Sequence, residues 1–158
     1  MIIVILAFFG HFDRDVQAQN IPEMDFEAFE PLLHKSNDTT YVVNFWATWC
    51  KPCVEEIPAF LEVASEFDEE KVKFVFVSLD LPDQKENRVI PFMKKHGMED
   101  EKVILLNDPD SNSWIDKVNP GWSGAIPATV IYNADSRKFV EGSLTYTELK
   151  SILKTEAL

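Results

Sequence analysis

Apolar residues in this chain gather in short dense runs, and between the runs they recur every three or four positions. Tyr41–Trp46 and Val72–Ser78 are rich in β-branched and aromatic residues and read as buried strands. Val103–Leu106 and Ala128–Tyr132 have the same character, and Arg137–Glu141 reads as a further strand after a turn at 133–135. The helical period appears first at Asp25–Lys35, where Phe26, Phe29 and Leu33 share a face, although Pro31 falls inside it. It is strongest over Cys53–Phe67. There Cys53, Ile57, Phe60, Leu61 and Ala64 form one face, and Glu55, Glu62 and Glu66 lie mainly on the other. Gln84–Gly97, closed by its glycine, and Ser111–Val118 are predicted as further helices. The last helix starts at Thr145, with Glu148 three residues on as a capping box, and ends near Thr155.

Strands alternating with helices, then a hairpin and a closing helix, predict an α/β fold with a mixed central sheet flanked by helices. The first two strands should be parallel, because a helix separates them. The chain has 158 residues and is 46% hydrophobic, enough for one domain with a real core. Its first residues read differently. Residues 2–9 are a continuous apolar run, shorter than the roughly 20 residues of a membrane-spanning helix. With Val16-Gln17-Ala18 they fit a signal peptide over 1–18, cleaved after Ala18, which leaves one domain over 19–158. No basic residue precedes the run, and Asp13, Arg14 and Asp15 are atypical of such a segment. The expectation is a protein exported to the periplasm or cell envelope, tethered to the membrane if the segment stays uncleaved. The net charge of −12 disfavours nucleic acid and anionic membrane surfaces as partners.

The two cysteines change the picture most. Cys50 and Cys53 are separated by Lys51 and Pro52, and the chain holds no other cysteine. Such a pair is a redox couple, half of a metal site, or two buried thiols. A zinc site usually needs four ligands, and His11, His34 and His96 stand singly, so no metal is expected. The pair sits where a strand gives way to an amphipathic helix, with Pro52 in the first turn, where a missing backbone donor costs nothing. Cys50 thus falls beside the free N–H groups of a helix start, which favour a thiolate. Cys53 falls one turn further in, within disulfide reach. This is the geometry of thiol–disulfide exchange, in which Cys50 attacks and Cys53 resolves, and no separate cofactor is called for.

The stretch Val43-Asn44-Phe45-Trp46-Ala47-Thr48-Trp49-Cys50-Lys51-Pro52-Cys53 resembles the active site of thioredoxin-like proteins. The branch it resembles is the TlpA/ResA-like group of envelope thiol-disulfide oxidoreductases. Val54-Glu55-Glu56-Ile57-Pro58 is similar to that group's continuation, and Gly124-Ala125-Ile126-Pro127-Ala128-Thr129 to its cis-proline loop. The resemblance implies a thioredoxin-like fold carrying an inserted strand and helix before the proline loop. It implies substrate docking at Ile126 and Pro127, and an apolar rim at Trp49 beside the Lys51-Pro52 dipeptide. Trp46 packs beneath that rim, Trp122 extends it or anchors a turn, and Pro58 kinks the helix. Glu56 becomes the acid that handles the proton of Cys53. Classical thioredoxins carry a buried Asp where Asn44 stands, and Asn44 cannot take a proton. The partners implied are protein disulfides as substrates and a membrane-embedded thiol donor that recharges the pair.

The reading favoured is an enzyme that reduces disulfides of envelope proteins. Alternatives are a disulfide-donating oxidase or isomerase, a peroxidase, and a metal-binding module without turnover. Peroxiredoxins place a hydroxyl three residues before their cysteine, where this chain has Ala47.

Overall fold

The computed structural model describes residues 21–67 and 71–156. The apolar segment assigned to a signal peptide lies outside the described residues. Six strands form one sheet in the order β1-β4-β3-β2-β5-β6, with β1 (Glu23–Met24), β2 (Thr40–Trp46), β3 (Val72–Ser78), β4 (Val103–Leu106), β5 (Ala128–Tyr132) and β6 (Arg137–Glu141). The first four in that order are mutually parallel, β5 runs antiparallel to β2, and β6 runs antiparallel to β5. The expected mixed sheet, the parallel β2–β3 pair and the inserted strand are all present. The two-residue β1 has no counterpart in the sequence reading, because it is too short to show a period.

Period-two alternation divides the core between the two faces of the sheet. Val42 and Trp46 of β2, with Phe74 and Phe76 of β3, face α2 (Lys51–Ala64), α3 (Ile90–His96) and α5 (Tyr146–Glu156). Val43, Phe45, Val75 and Val77 face the opposite layer, made from α1 (Phe26–Phe29), α4 (Ser111–Val118) and the loop carrying Trp122. Asn44 belongs by alternation to the α2 side, a polar residue on a strand buried at every position.

Three predicted helices differ in detail. The one over 25–35 is α-helical only for Phe26–Phe29 and continues as a 3-10 turn over Glu30–Leu33. Pro31 has no N–H to give the carbonyl four residues back, so the α ladder stops there. The segment read as a helix over 84–97 winds as a 3-10 turn (Pro82–Gln84), a π turn (Lys85–Val89) and then α3. Gly97 closes α3 with φ of 69° and its N–H on the Met93 carbonyl, as a left-handed cap does. The cysteine-bearing helix begins at Lys51 and ends at Ala64, three residues short of Phe67.

Candidate functional site

All four parallel strands end at one edge of the sheet, and Cys50 sits in the loop that leaves β2 there. Asp80, just after β3, anchors that loop. Its buried carboxylate accepts the Thr48 N–H at 2.9 Å, the Thr48 hydroxyl at 2.5 Å and the Ser78 hydroxyl at 2.8 Å. The Cys50 N–H donates to the Ala47 carbonyl at 3.1 Å, which tightens the turn into α2.

Cys50 is the N-cap of α2, and Cys53 lies in its first turn. The two are joined by a disulfide, with Cα atoms 5.3 Å apart. The Cys53 N–H, one of the helix's unpaired donors, points at the Cys50 sulfur from 3.3 Å. Cys50 is 6% exposed and Cys53 fully buried, so only Cys50 can be reached from solvent. The carbonyl oxygen of Ile126 lies 3.6 Å from the Cys50 sulfur. The Ile126–Pro127 bond is cis, with Pro127 buried and Ile126 half-buried beneath the pair. Ahead of it Gly124 takes φ of 87°, and a Cβ there would come within 3.0 Å of Ile115.

Around this centre Trp49 stands 58% exposed, one of two large apolar side chains so placed among the described residues, with Leu81. Lys51 and Pro52 are exposed, and Lys51 pairs loosely with Glu55 at 3.7 Å. Trp46 is fully buried against Phe92 of α3. Trp122 is buried, and its indole N–H donates to the Ala125 carbonyl at 2.8 Å. It anchors the turn before the proline loop instead of widening the exposed rim.

Glu56 lies one helical turn beyond Cys53 on the same buried face and is only 4% exposed. Its Oε1 accepts from the Asn44 amide at 2.8 Å and its Oε2 from the Leu144 N–H at 2.9 Å. Burial pushes its carboxyl up to about 7, against the opposing pull of the Leu144 and Asn44 hydrogen bonds. Asn44 also donates to the Thr129 hydroxyl at 3.1 Å, and its own Oδ1 has no partner among the described residues. The structure therefore brings Cys50, Cys53, Glu56, Ile126 and Pro127 together, with Trp49, Lys51 and Pro52 at the exposed lip. Asp80, Thr129 and the Leu144 amide were not singled out from sequence. Asp80 carries one readable sign, a carboxylate two residues past a buried strand end. Thr129 carries none, since its meeting with Asn44 depends on β2–β5 register. Among the described residues no cluster of three His, Cys, Asp or Glu side chains could hold a metal ion.

The model of the AhpC/TSA family matches residues 16–137. The thiol-disulfide oxidoreductase ResA of Geobacillus thermodenitrificans (strain NG80-2) is 26% identical over 133 residues, 83% of this chain and 71% of its own. ResA of Bacillus thuringiensis (strain Al Hakam) is 30% identical over 141 residues, 87% of this chain and 75% of its own. The solved thiol:disulfide interchange protein, a thioredoxin family protein from Chlorobium tepidum TLS, has a TM-score of 0.62 at 25% identity. That match covers 77% of this chain and 81% of the solved one.

Proposed function

We propose that this chain, which belongs to the AhpC/TSA family and is a TlpA/ResA-like thiol-disulfide oxidoreductase, works as a reductase of disulfides in exported proteins. The observation that carries the exchange chemistry is the Cys53 N–H aimed at the sulfur of the more exposed cysteine, and the reductive direction follows the resemblance to the TlpA/ResA-like group. That donor and the helix N-terminus behind it favour a Cys50 thiolate, which is the attacking species.

The cycle starts from the dithiol. The Cys50 thiolate attacks one sulfur of a substrate disulfide, whose S–S bond breaks as a mixed disulfide forms, and the displaced thiolate takes a proton from solvent. Cys53 then gives its proton to Glu56 and attacks the Cys50 sulfur. The mixed disulfide breaks, the second substrate thiol leaves, and two electrons have passed to substrate. A carboxyl held near 7 is suited to that transfer at neutral pH, and an ordinary glutamate near 4.5 is a far weaker acceptor. Substrate chain lies along the backbone at Ile126 and crosses Trp49, beside the exposed Lys51 and Pro52. The thiols are recharged by a membrane-embedded thiol donor, and the apolar segment over 2–9 directs export.

The direction of electron flow is tested by the midpoint potential of the pair, read through tryptophan fluorescence in dithiothreitol or glutathione buffers. A value near or below about −270 mV supports a reductase, and a value near about −120 mV makes the protein a disulfide donor. Absence of any reversible couple would remove the redox assignment.

A further inference from the structure

Among the described residues two buried side-chain polar atoms lack a hydrogen-bond partner, Trp46 Nε1 and Asn44 Oδ1, and of these two residues Asn44 is the one bonded to Glu56. Its Nδ2 makes two bonds, to Glu56 Oε1 and Thr129 Oγ1, while its Oδ1 is buried with no partner among the described residues. That arrangement suits a Glu56 anion, which only accepts. It does not suit the acid. A proton on Oε1 would set an O–H against the Asn44 N–H across 2.8 Å, donor against donor. Oε2 has no such conflict, because it goes on accepting from Leu144.

We infer that the Asn44 side-chain amide turns over when Glu56 changes protonation state, so that Asn44 and Thr129 keep the carboxyl group hydrogen-bonded both as anion and as acid. A half-turn about the terminal torsion exchanges Nδ2 and Oδ1 in place, and that torsion is soft and roughly two-fold. Oδ1 then lies where Nδ2 was and accepts from the Glu56 O–H. The Thr129 hydroxyl can accept or donate, so it reverses and donates to the same Oδ1. No backbone has to move, and the contacts to Glu56 and Thr129 survive the loss of charge, while the Nδ2 hydrogens take the buried position that Oδ1 held. An aspartate at position 44 could do this only by holding a proton of its own.

Asn44 is thus a positioning residue for the proton carried by Glu56, and the inference rests on the reading of Glu56 as acceptor for Cys53. Other groups that could imitate the effect point elsewhere. On α2, Lys51 and Glu55 are exposed and pair with each other. On α5, Tyr146 binds Glu66 and Lys150, and Glu148 binds Thr145. On β2 and β5, Tyr41 accepts from Asn37 and Tyr132 is held by Leu32 and Lys35. On β6, Glu141 is tied to Ser123. The remaining titratable neighbour is Cys53, which is in the disulfide and does not titrate.

The test uses the oxidised, isotope-labelled protein, where no exchange step intervenes. Glu56 side-chain carboxyl and Asn44 amide resonances are followed by NMR from pH 5 to 9. The expected result is a common midpoint for both, with contacts from the Asn44 amide protons to Thr129 seen at high pH and lost at low pH. Glu56→Gln is isosteric and neutral, and its amide can donate to Oδ1. It should fix Asn44 in the low-pH form at every pH. Asn44→Leu should move the Glu56 midpoint up by roughly one unit, since a hydrogen bond to the anion is about twice as strong as one to the acid. An Asn44 amide unchanged while Glu56 titrates, or held in its high-pH form in Glu56→Gln, overturns the inference. The acceptor role of Glu56 is read separately. It fails if Glu56→Gln resolves mixed disulfides as fast as the unaltered protein, whatever the resonances show.

Discussion

A carboxyl group pushed up to about 7 inside a fold costs that fold stability at high pH. An ordinary glutamate titrates at 4.5, so folding must hold the Glu56 proton over the range between those values. The folded pKa lies above the unfolded one. The stabilising effect of the buried acid is therefore complete below about pH 4.5 and is lost as pH rises through 7. The gap corresponds to about 3 kcal/mol at alkaline pH. Urea unfolding at pH 5 and pH 8 should show this loss in the unaltered protein and not in Glu56→Gln, so that the variant is the more stable of the two at pH 8. Equal pH dependence in both proteins would mean that Glu56 is not titrating in this range. The same variant should resolve mixed disulfides more slowly at pH 7–8, by a factor on the order of 10². The cysteines divide by accessibility. Cys53→Ser should accumulate a mixed disulfide on Cys50 that mass spectrometry detects after a peptide disulfide is added, and Cys50→Ser should not.

Among the elements, α2 matters most, because one helix carries the N-cap sulfur, the resolving sulfur and the acid. Its apolar face holds it on the sheet: Ile57 and Phe60 are fully buried, and Phe60 packs edge-on against Phe74. Phe60→Ala should cost roughly 3–5 kcal/mol in chemical unfolding, by lost burial and the cavity left behind. The loop before α2 depends on a different element. Asp80, at the end of β3, binds Thr48 through both its backbone and its hydroxyl. Asp80→Ala leaves the half-buried Thr48 donors and the buried Ser78 hydroxyl without their acceptor and should cost roughly 1–3 kcal/mol. It should also slow the attack of Cys50 on a peptide disulfide, because the turn that sets the sulfur on the helix axis is released. Thr48→Ala keeps the backbone bond and should have the smaller effect on both measurements.

At the scale of the whole molecule, the charge of −12 acts on encounter. A basic peptide disulfide should be reduced faster than an acidic one of equal potential, and the difference should shrink as salt rises from about 10 mM to 150 mM. Identical salt responses would mean that the field at the disulfide edge is not set by the net charge. The architecture also explains why the site lies where it does. The loops after β2 and β3 leave the sheet at one edge, so the segments bearing Cys50 and Asp80 meet there although far apart in the chain.

Local pattern was enough for much of this protein. Dense β-branched and aromatic runs placed β2 to β5, a turn placed β6, and three-to-four spacing placed the cysteine-bearing helix, since each of these signals is local. The Cys50–Cys53 spacing at a strand-to-helix junction disclosed the chemistry, because a helix N-terminus is a local object. Glu56 was legible only through the resemblance of Val54-Glu55-Glu56-Ile57-Pro58 to the TlpA/ResA-like continuation, because spacing alone is equally compatible with a solvated helix glutamate. What the chain could not display locally was the company these residues keep. The pairing of Asn44 with Thr129 follows from β2–β5 register, and the Leu144 amide arrives from 88 residues away. Asp80 reaches the cysteine loop across 32 residues. The winding of 82–96 and the short β1 were likewise decided by packing, because neither has a period long enough to declare itself. Burial and hydrogen bonding set the proton affinity of Glu56, and both depend on contacts between segments remote in sequence, so only the tertiary structure decides it.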